Sequence, residues 1–293
     1  MAELKKPDWL KVSYDSESAK EIAQMMKDLK LNTVCQEANC PNIGECFKRH
    51  TATFMILGSQ CTRNCRFCNV SCGKPSDPDP EEPMHVAEVA KKLNLKHVVV
   101  TQVTRDDLPD GGAAHMAATV RAIKELNPGS TVEVLISDLK GSEEALKTVL
   151  DSHPDVMNHN VEMVKELYND VRPQAIYERS LKVLSDSKKF APDILTKTGF
   201  MLGLGETDEQ VYTLMDDIHE TGCDILTISQ YLRPSNEHWE LKRYITPEEF
   251  AHFKEVALEK GFLYVASGPL VRSSYRAAEA LDAALDAEEQ TAE

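Results

Sequence analysis

Residues 51–70 read TATFMILGSQCTRNCRFCNV: an apolar run that stops at Leu57, then a polar loop carrying Cys61, Cys65 and Cys68. The run has the length and β-branched content of a buried strand. The residues after Leu57 are too polar to continue it. Just upstream, CQEANCPNIGEC places Cys35, Cys40 and Cys46 in a second triplet with wider spacing. Six of the 8 cysteines therefore sit in two groups of three on either side of one expected strand.

Composition narrows what the thiols can be for. The chain has 293 residues, enough to bury a sizeable core, with 33 Lys plus Arg against 48 Asp plus Glu. A net charge of −15 argues against a nucleic-acid backbone or an anionic membrane as the main partner. The sequence shows no run of 18 or more apolar residues and no amino-terminal targeting pattern, so a cytosolic protein is expected. In a long cytosolic chain, clustered cysteines more often hold metal than form disulfides. Structural zinc asks for four thiolate or imidazole ligands, and each triplet is one short. His50 is a lone histidine without finger-like spacing. Iron–sulfur clusters also use closely spaced thiolates, and three protein thiols leave one iron of a cubane open.

From residue 53 onward, short apolar runs alternate with amphipathic stretches. The runs are TATFMIL, HVVVTQV, TVEVLIS, DVMNHNVE, DILTKTGFML and DILTISQYL, with FLYVASG near the end. Helical periodicity covers 84–95, 111–127, 142–153, 175–189, 208–222 and 246–261. Six βα units in series predict an α/β fold, a partial (β/α)6 TIM-type barrel with amino- and carboxyl-terminal extensions covering its mouth. The expected divisions are an extension over 1–50, the barrel over 51–267, and a tail over 268–293 containing RSSY and an Ala/Glu-rich end.

A parallel barrel keeps its chemistry at the carboxyl ends of its strands, which puts Cys61, Cys65 and Cys68 at the mouth. Their C-x3-C-x2-C spacing after the first strand, with aromatic Phe67 before the last cysteine, resembles the radical S-adenosylmethionine superfamily. That resemblance implies a 4Fe-4S cluster on the three thiols and S-adenosylmethionine as co-substrate. Gly111 and Gly112 in TRDDLPDGGA would let backbone approach the ligand, although a simple strand-to-helix turn explains them equally well. Asn158, Asn160 and Glu162 at the end of the fourth strand, and Arg233 after the sixth, are candidate cofactor contacts, with ordinary strand-end networks as the alternative. His159 is expected to position backbone and not to move protons.

The upstream triplet resembles the auxiliary-cluster segment of the lipoyl synthase family. The likeness continues through NHNVE, GLGET, QYLRPS, RYITPEEF and SGPLVRSSYRA, with departures at Met163 and Ser229. It implies a second 4Fe-4S cluster held by Cys35, Cys40, Cys46 and Ser274, which donates sulfur to carbons six and eight of an octanoyl-lysine. By the same reading Ser273 matters less than Ser274. The implied partners are an octanoylated lipoyl carrier domain of a 2-oxoacid dehydrogenase complex or the glycine cleavage H protein, a flavodoxin- or ferredoxin-type electron donor, and an iron–sulfur carrier. Cys72 and Cys223 match no ligand position and read as small hydrophobes or bystanders. Two alternatives stand beside this reading: another sulfur-inserting radical enzyme, and a non-catalytic metal-binding protein.

Overall fold

The computed structural model describes residues 5–10, 31–33, 42 and 52–292. Cys35, Cys40, Cys46 and His50 lie outside them. The strands are β1 (Asn32–Thr33), β2 (Ala52–Ile56), β3 (Gln60–Cys61), β4 (Ser71–Cys72), β5 (His97–Gln102), β6 (Thr131–Leu135), β7 (Val156–Asn158), β8 (Leu195–Leu202), β9 (Ile225–Gln230) and β10 (Tyr264–Gly268). The longer helices are α1 (Glu82–Lys92), α2 (Ala113–Leu126), α3 (Glu143–Leu150), α4 (Tyr168–Val171), α5 (Tyr177–Phe190), α6 (Asp208–His219), α7 (Pro247–Lys260) and α8 (Ala277–Ala292).

The main sheet runs β1-β2-β5-β6-β7-β8-β9-β10 and stays open between its ends. Every pairing from β2 to β10 is parallel, and β1 joins β2 antiparallel. FLYVASG thus supplies a seventh parallel strand, β10, to the six-unit barrel. The first five residues of HVVVTQ in β5 are buried, as expected where helices or bore cover both faces.

Local signals place the helices. Ser142 caps α3, accepting from the amide of Ala145 at 3.2 Å. Thr207 with Gln210 and Thr246 with Glu249 form reciprocal capping boxes at α6 and α7. Gly261, at φ 107°, takes the left-handed position that ends α7.

DVMNHNVE is a strand only over Val156–Asn158. The His159 amide bonds the Lys197 carbonyl and the Glu162 amide bonds that of Gly199, so three residues on one strand span two on the other. This bulge leaves Glu162 at φ 77° and re-aims its side chain.

The bore contains a charged layer. Lys197 Nζ lies 3.0 and 2.9 Å from the two Glu133 oxygens, and both side chains are 1 % exposed. Asn158 donates to Glu133 at 2.8 Å, and His97 lies 3.7 Å from it. Burial alone would raise the Glu133 pKa, but Lys197, His97 and Asn158 hold it down at about 2. At the amino ends of the strands, Ala280, Leu281 and Ala284 of α8 pack on Val156, Leu195 and Ile225, the first residues of β7, β8 and β9. The carboxyl-terminal helix therefore closes the floor of the open barrel.

Glu133→Gln would leave the Lys197 charge unpaired in the bore, and we expect it to lower unfolding free energy by about 3–5 kcal/mol in urea titrations. Replacing Glu133 and Lys197 together by Met is expected to recover most of that loss. Because the folded-state pKa is depressed, the ion-pair contribution is full above the ordinary carboxylate range, near 4, and fades as pH falls through about 2. The stability difference between wild type and the double Met variant should follow that window.

Candidate radical-cluster site

The loop bearing the three thiols begins with strain. Leu57, just past β2, has φ 68°, a conformation that costs a β-carbon residue on the order of 1 kcal/mol. Glu82 accepts its amide at 2.8 Å, and Arg105 donates to its carbonyl at 3.3 Å. Glu82 is itself held by His115 at 2.8 Å, and Arg105 by Asp107 at 2.8 Å. β3 and β4 then pair in parallel, Cys61 beside Cys72, so the two ends of the loop are stapled together.

Between the staples the loop hangs on its neighbours. Arg63, 4 % exposed, is clamped by Asp106 at 2.7 Å and Asp138 at 2.6 Å. Burial opposes the charge on Asp138, yet Arg63 holds its carboxyl at about 2. The Arg66 amide donates to the Val171 carbonyl at 2.8 Å, and the Asn64 amide to Gln174 Oε1 at 2.7 Å. The Trp239 amide donates to the Arg66 carbonyl at 2.7 Å, while His238 Nε2 lies 3.1 Å from the Cys68 carbonyl. Segments that follow β5, β6, β7 and β9 all grip it.

The three thiols have different polar surroundings. The Arg63 amide lies 3.4 Å from Cys61 Sγ. The charge of the buried Arg172 guanidinium favours the Cys65 thiolate, and the Val70 backbone favours that of Cys68. Burial nevertheless dominates both pKa values, raising Cys65 and pushing Cys68 up to about 12. Such thiols give up their protons to a metal and not to water at neutral pH. Among the described residues no three His, Cys, Asp or Glu side chains converge as they would on a single ion. A cubane spreads its thiolates over different irons, so half-buried sulfurs that do not converge on one point fit a 4Fe-4S cluster better than zinc.

Phe67 packs against the core cluster beneath the loop. Gly111 and Gly112 lie at φ 63° and 91°, and a β-carbon on Gly112 would come within 2.3 Å of Leu57 Cδ1. Backbone geometry and the approach to Leu57 thus account for that glycine without a ligand. Arg233 folds back on its own loop, donating to the His238 carbonyl at 3.0 Å and the Asn236 carbonyl at 2.6 Å, and so steadies the segment that touches Cys68.

Glu162 lies beside Asn160 and faces the Arg172 charge, with burial raising its carboxyl pKa. Asn158 is fully buried, and its Oδ1 has no partner among the described residues. Burial lowers the His159 pKa to about 4, so the ring is neutral, with Nδ1 2.9 Å from the Ile136 carbonyl. Ser274 sits in a turn closed by the Tyr275 amide on the Arg272 carbonyl at 2.8 Å. Asn42, placed between Cys40 and Cys46 in the chain, donates to the Leu270 carbonyl at 2.7 Å just before that turn. Cys72 is exposed and Cys223 is buried, its thiol pushed up to about 12 chiefly by burial.

Arg63 and Arg172 were not among the residues expected from the sequence. Arg63 carried a signal, an arginine between two cluster cysteines followed downstream by TRDD. Arg172 carried none, because only the fold brings the end of α4 against Cys65.

Residues 55–218 match the Radical SAM superfamily. The chain is 57 % identical over 274 residues to the lipoyl synthase of Caldanaerobacter subterraneus subsp. tengcongensis, covering 94 % of this chain and 96 % of that one. It is 55 % identical to the lipoyl synthase of Rubrobacter xylanophilus, covering 94 % and 86 %, and 52 % identical to that of Geobacillus sp. strain WCH70, covering 99 % and 98 %. Among solved structures, HydG, a maturase of the FeFe hydrogenase, superposes with TM-score 0.56 at 15 % identity over 94 % of this chain and 75 % of its own. Methylornithine synthase does so with TM-score 0.51 at 15 % identity, over 77 % and 73 %. These two likenesses bear on the fold alone. A thiol loop at the end of the first parallel strand, joined to near full-length identity above one half, places the chain in the lipoyl synthase family of the radical S-adenosylmethionine superfamily.

Proposed function

We propose that this chain inserts two sulfur atoms, at carbons six and eight, into an octanoyl group carried on a lysine of a partner protein. The observation that carries the reading is the loop of Cys61, Cys65 and Cys68, with the Arg63 amide on Cys61 and the Arg172 charge facing Cys65, at the mouth of the barrel. When bound, the first 4Fe-4S cluster supplies the electron that cleaves S-adenosylmethionine to a 5′-deoxyadenosyl radical, and the second supplies sulfur.

Cys61, Cys65 and Cys68 would hold the first cluster, while Cys35, Cys40, Cys46 and Ser274 would hold the second. The Asn42 bond to Leu270 supports that second set, since it ties the segment of the upstream triplet to the segment of Ser274. The unpartnered, buried Asn158 Oδ1 is an acceptor suited to an amino or hydroxyl group of S-adenosylmethionine. Asn160, Glu162 and Arg233 are assigned to the same pocket, with Phe67, Gly111 and Gly112 shaping its wall. The walls exclude water from a reactive primary radical. Among the described residues no helix is long and apolar enough to cross a membrane. The partners in this reading are an octanoylated lipoyl carrier domain or H protein, a flavodoxin- or ferredoxin-type donor and an iron–sulfur carrier.

Mass spectrometry of an octanoyl-lysyl peptide after anaerobic incubation with reductant and S-adenosylmethionine is the direct test. Gain of two sulfurs is expected, and wild-type protein carrying about eight irons that adds none would sink the reading. Replacing Cys61, Cys65 or Cys68 by Ala should abolish cleavage of S-adenosylmethionine. Replacing Cys35, Cys40 or Cys46 should spare cleavage and stop sulfur insertion.

The Arg63 clamp makes a separate prediction. Arg63→Lys keeps a charge but loses the fork shared between Asp106 and Asp138, and we expect about 10-fold weaker retention of the first cluster. Iron release to a chelator, monitored in a Cys40→Ala background, reads this out.

A further inference from the structure

Ser273, expected to be the lesser serine of RSSY, is the one the barrel holds. Its hydroxyl accepts from Asn158 Nδ2 at 2.9 Å and donates to Asn160 Oδ1 at 3.1 Å. The same Asn158 amide donates to Glu133, which is paired with Lys197, while Asn160 lies beside Glu162, which faces the Arg172 charge near Cys65. The three bonds at Ser273 and Asn158 run in a consistent sense, each amide hydrogen and the hydroxyl hydrogen facing an oxygen. Ser273 can serve both asparagines only because a hydroxyl gives one hydrogen and offers lone pairs.

The constraint on the backbone is equally specific. Between the carboxyl end of β10 at Gly268 and the start of α8 at Ala277, the chain must pass from the mouth toward the floor that α8 closes. In that passage it makes a turn closed by Tyr275 on Arg272, with Ser273 and Ser274 at its two central positions. Fixing Ser273 in the bore therefore fixes where Ser274 stands.

We infer that Ser273 is a positioning residue for sulfur insertion: gripped by Asn158 and Asn160, its hydroxyl seats the Arg272–Tyr275 turn so that Ser274 is presented to the second cluster. This rests on the function proposed above. It also assigns the two adjacent serines different work, one as anchor and one as ligand, and it links the sulfur-donating segment to the polar network that ends at Cys65.

The test compares wild type, Ser273→Ala and Ser273→Thr. Hydrogen exchange of the backbone amides over 269–276 is measured on the protein as isolated, with cleavage of S-adenosylmethionine and sulfur addition to an octanoyl-lysyl peptide measured on the reconstituted enzyme. In Ser273→Ala we expect exchange across 269–276 to quicken about 10-fold, for loss of two hydrogen bonds in part offset by water. Sulfur addition should fall at least about 10-fold, and by more than cleavage does, by analogy with lost outer-shell contacts. Ser273→Thr, which keeps the hydroxyl, should restore most of the exchange protection and most of the product. Unchanged exchange in Ser273→Ala overturns the anchor. So does quickened exchange with undiminished product, equal loss of cleavage and product, or a Thr variant no better than Ala. Failure of wild type to make product would instead strike the proposed function, and the exchange data would still judge the anchor.

Discussion

The thiol loop depends on one buried interaction, the guanidinium of Arg63 held between Asp106 and Asp138. A segment with only two-residue strands at its ends has little structure of its own, and loops fixed this way must borrow rigidity from neighbours. A forked cation suits that task because it bonds two carboxylates from two different loops at once. Taking an arginine to 4 % exposure costs several kcal/mol unless its partners compensate, and here both carboxylates come from the loops that must be aligned with the thiols. The charge that would be a liability in a core thus specifies the geometry of the mouth.

A second buried cation does different work. Arg172 spends Nη1 on the Tyr168 hydroxyl at 2.8 Å and the Val161 carbonyl at 3.3 Å, and turns its charge toward Cys65 and Glu162. A fixed positive charge at that place offsets the negative charge that deprotonated thiolates would accumulate in a half-buried loop. The bulge before Glu162 is what brings its carboxylate within reach, since a regular strand would have carried that residue to another position in the ladder.

Much of this was legible in the sequence, and the limits are physical. Runs such as HVVVTQV and DILTISQYL are bounded, apolar and β-branched, so β5 and β9 could be read directly, and TPEEF announced α7 through its capping residues. The cysteine loop was legible because ligand spacing is local. DVMNHNVE reads as one strand, whereas β7 ends at Asn158, because a bulge depends on the register of the neighbouring strand and leaves no local trace. Arg172 and the grip of the asparagines on Ser273 were equally hidden. The first needs the end of α4 to meet a loop about a hundred residues earlier, and RSSY offers two identical side chains that only the asparagines across the bore distinguish.

The same residues show why a barrel open between β10 and β2 can remain a barrel. Closure by a full ring of strands would remove both edges and fill the bore with side-chain layers. Here the edge at β2 is extended by β1, and α8 packs its small face, Ala280 and Ala284, under the first residues of β7, β8 and β9. The floor is therefore apolar and the layer above it is charged, with Glu133 and Lys197 satisfying one another while Asn158 carries a hydrogen bond upward to the tail. An apolar layer at that height would pack as well, but it would present no donor to Ser273. The charged layer is thus where the stability of the bore and the placement of the carboxyl-terminal segment become one problem, because the groups that neutralise each other inside the barrel also orient the amide that the tail must find.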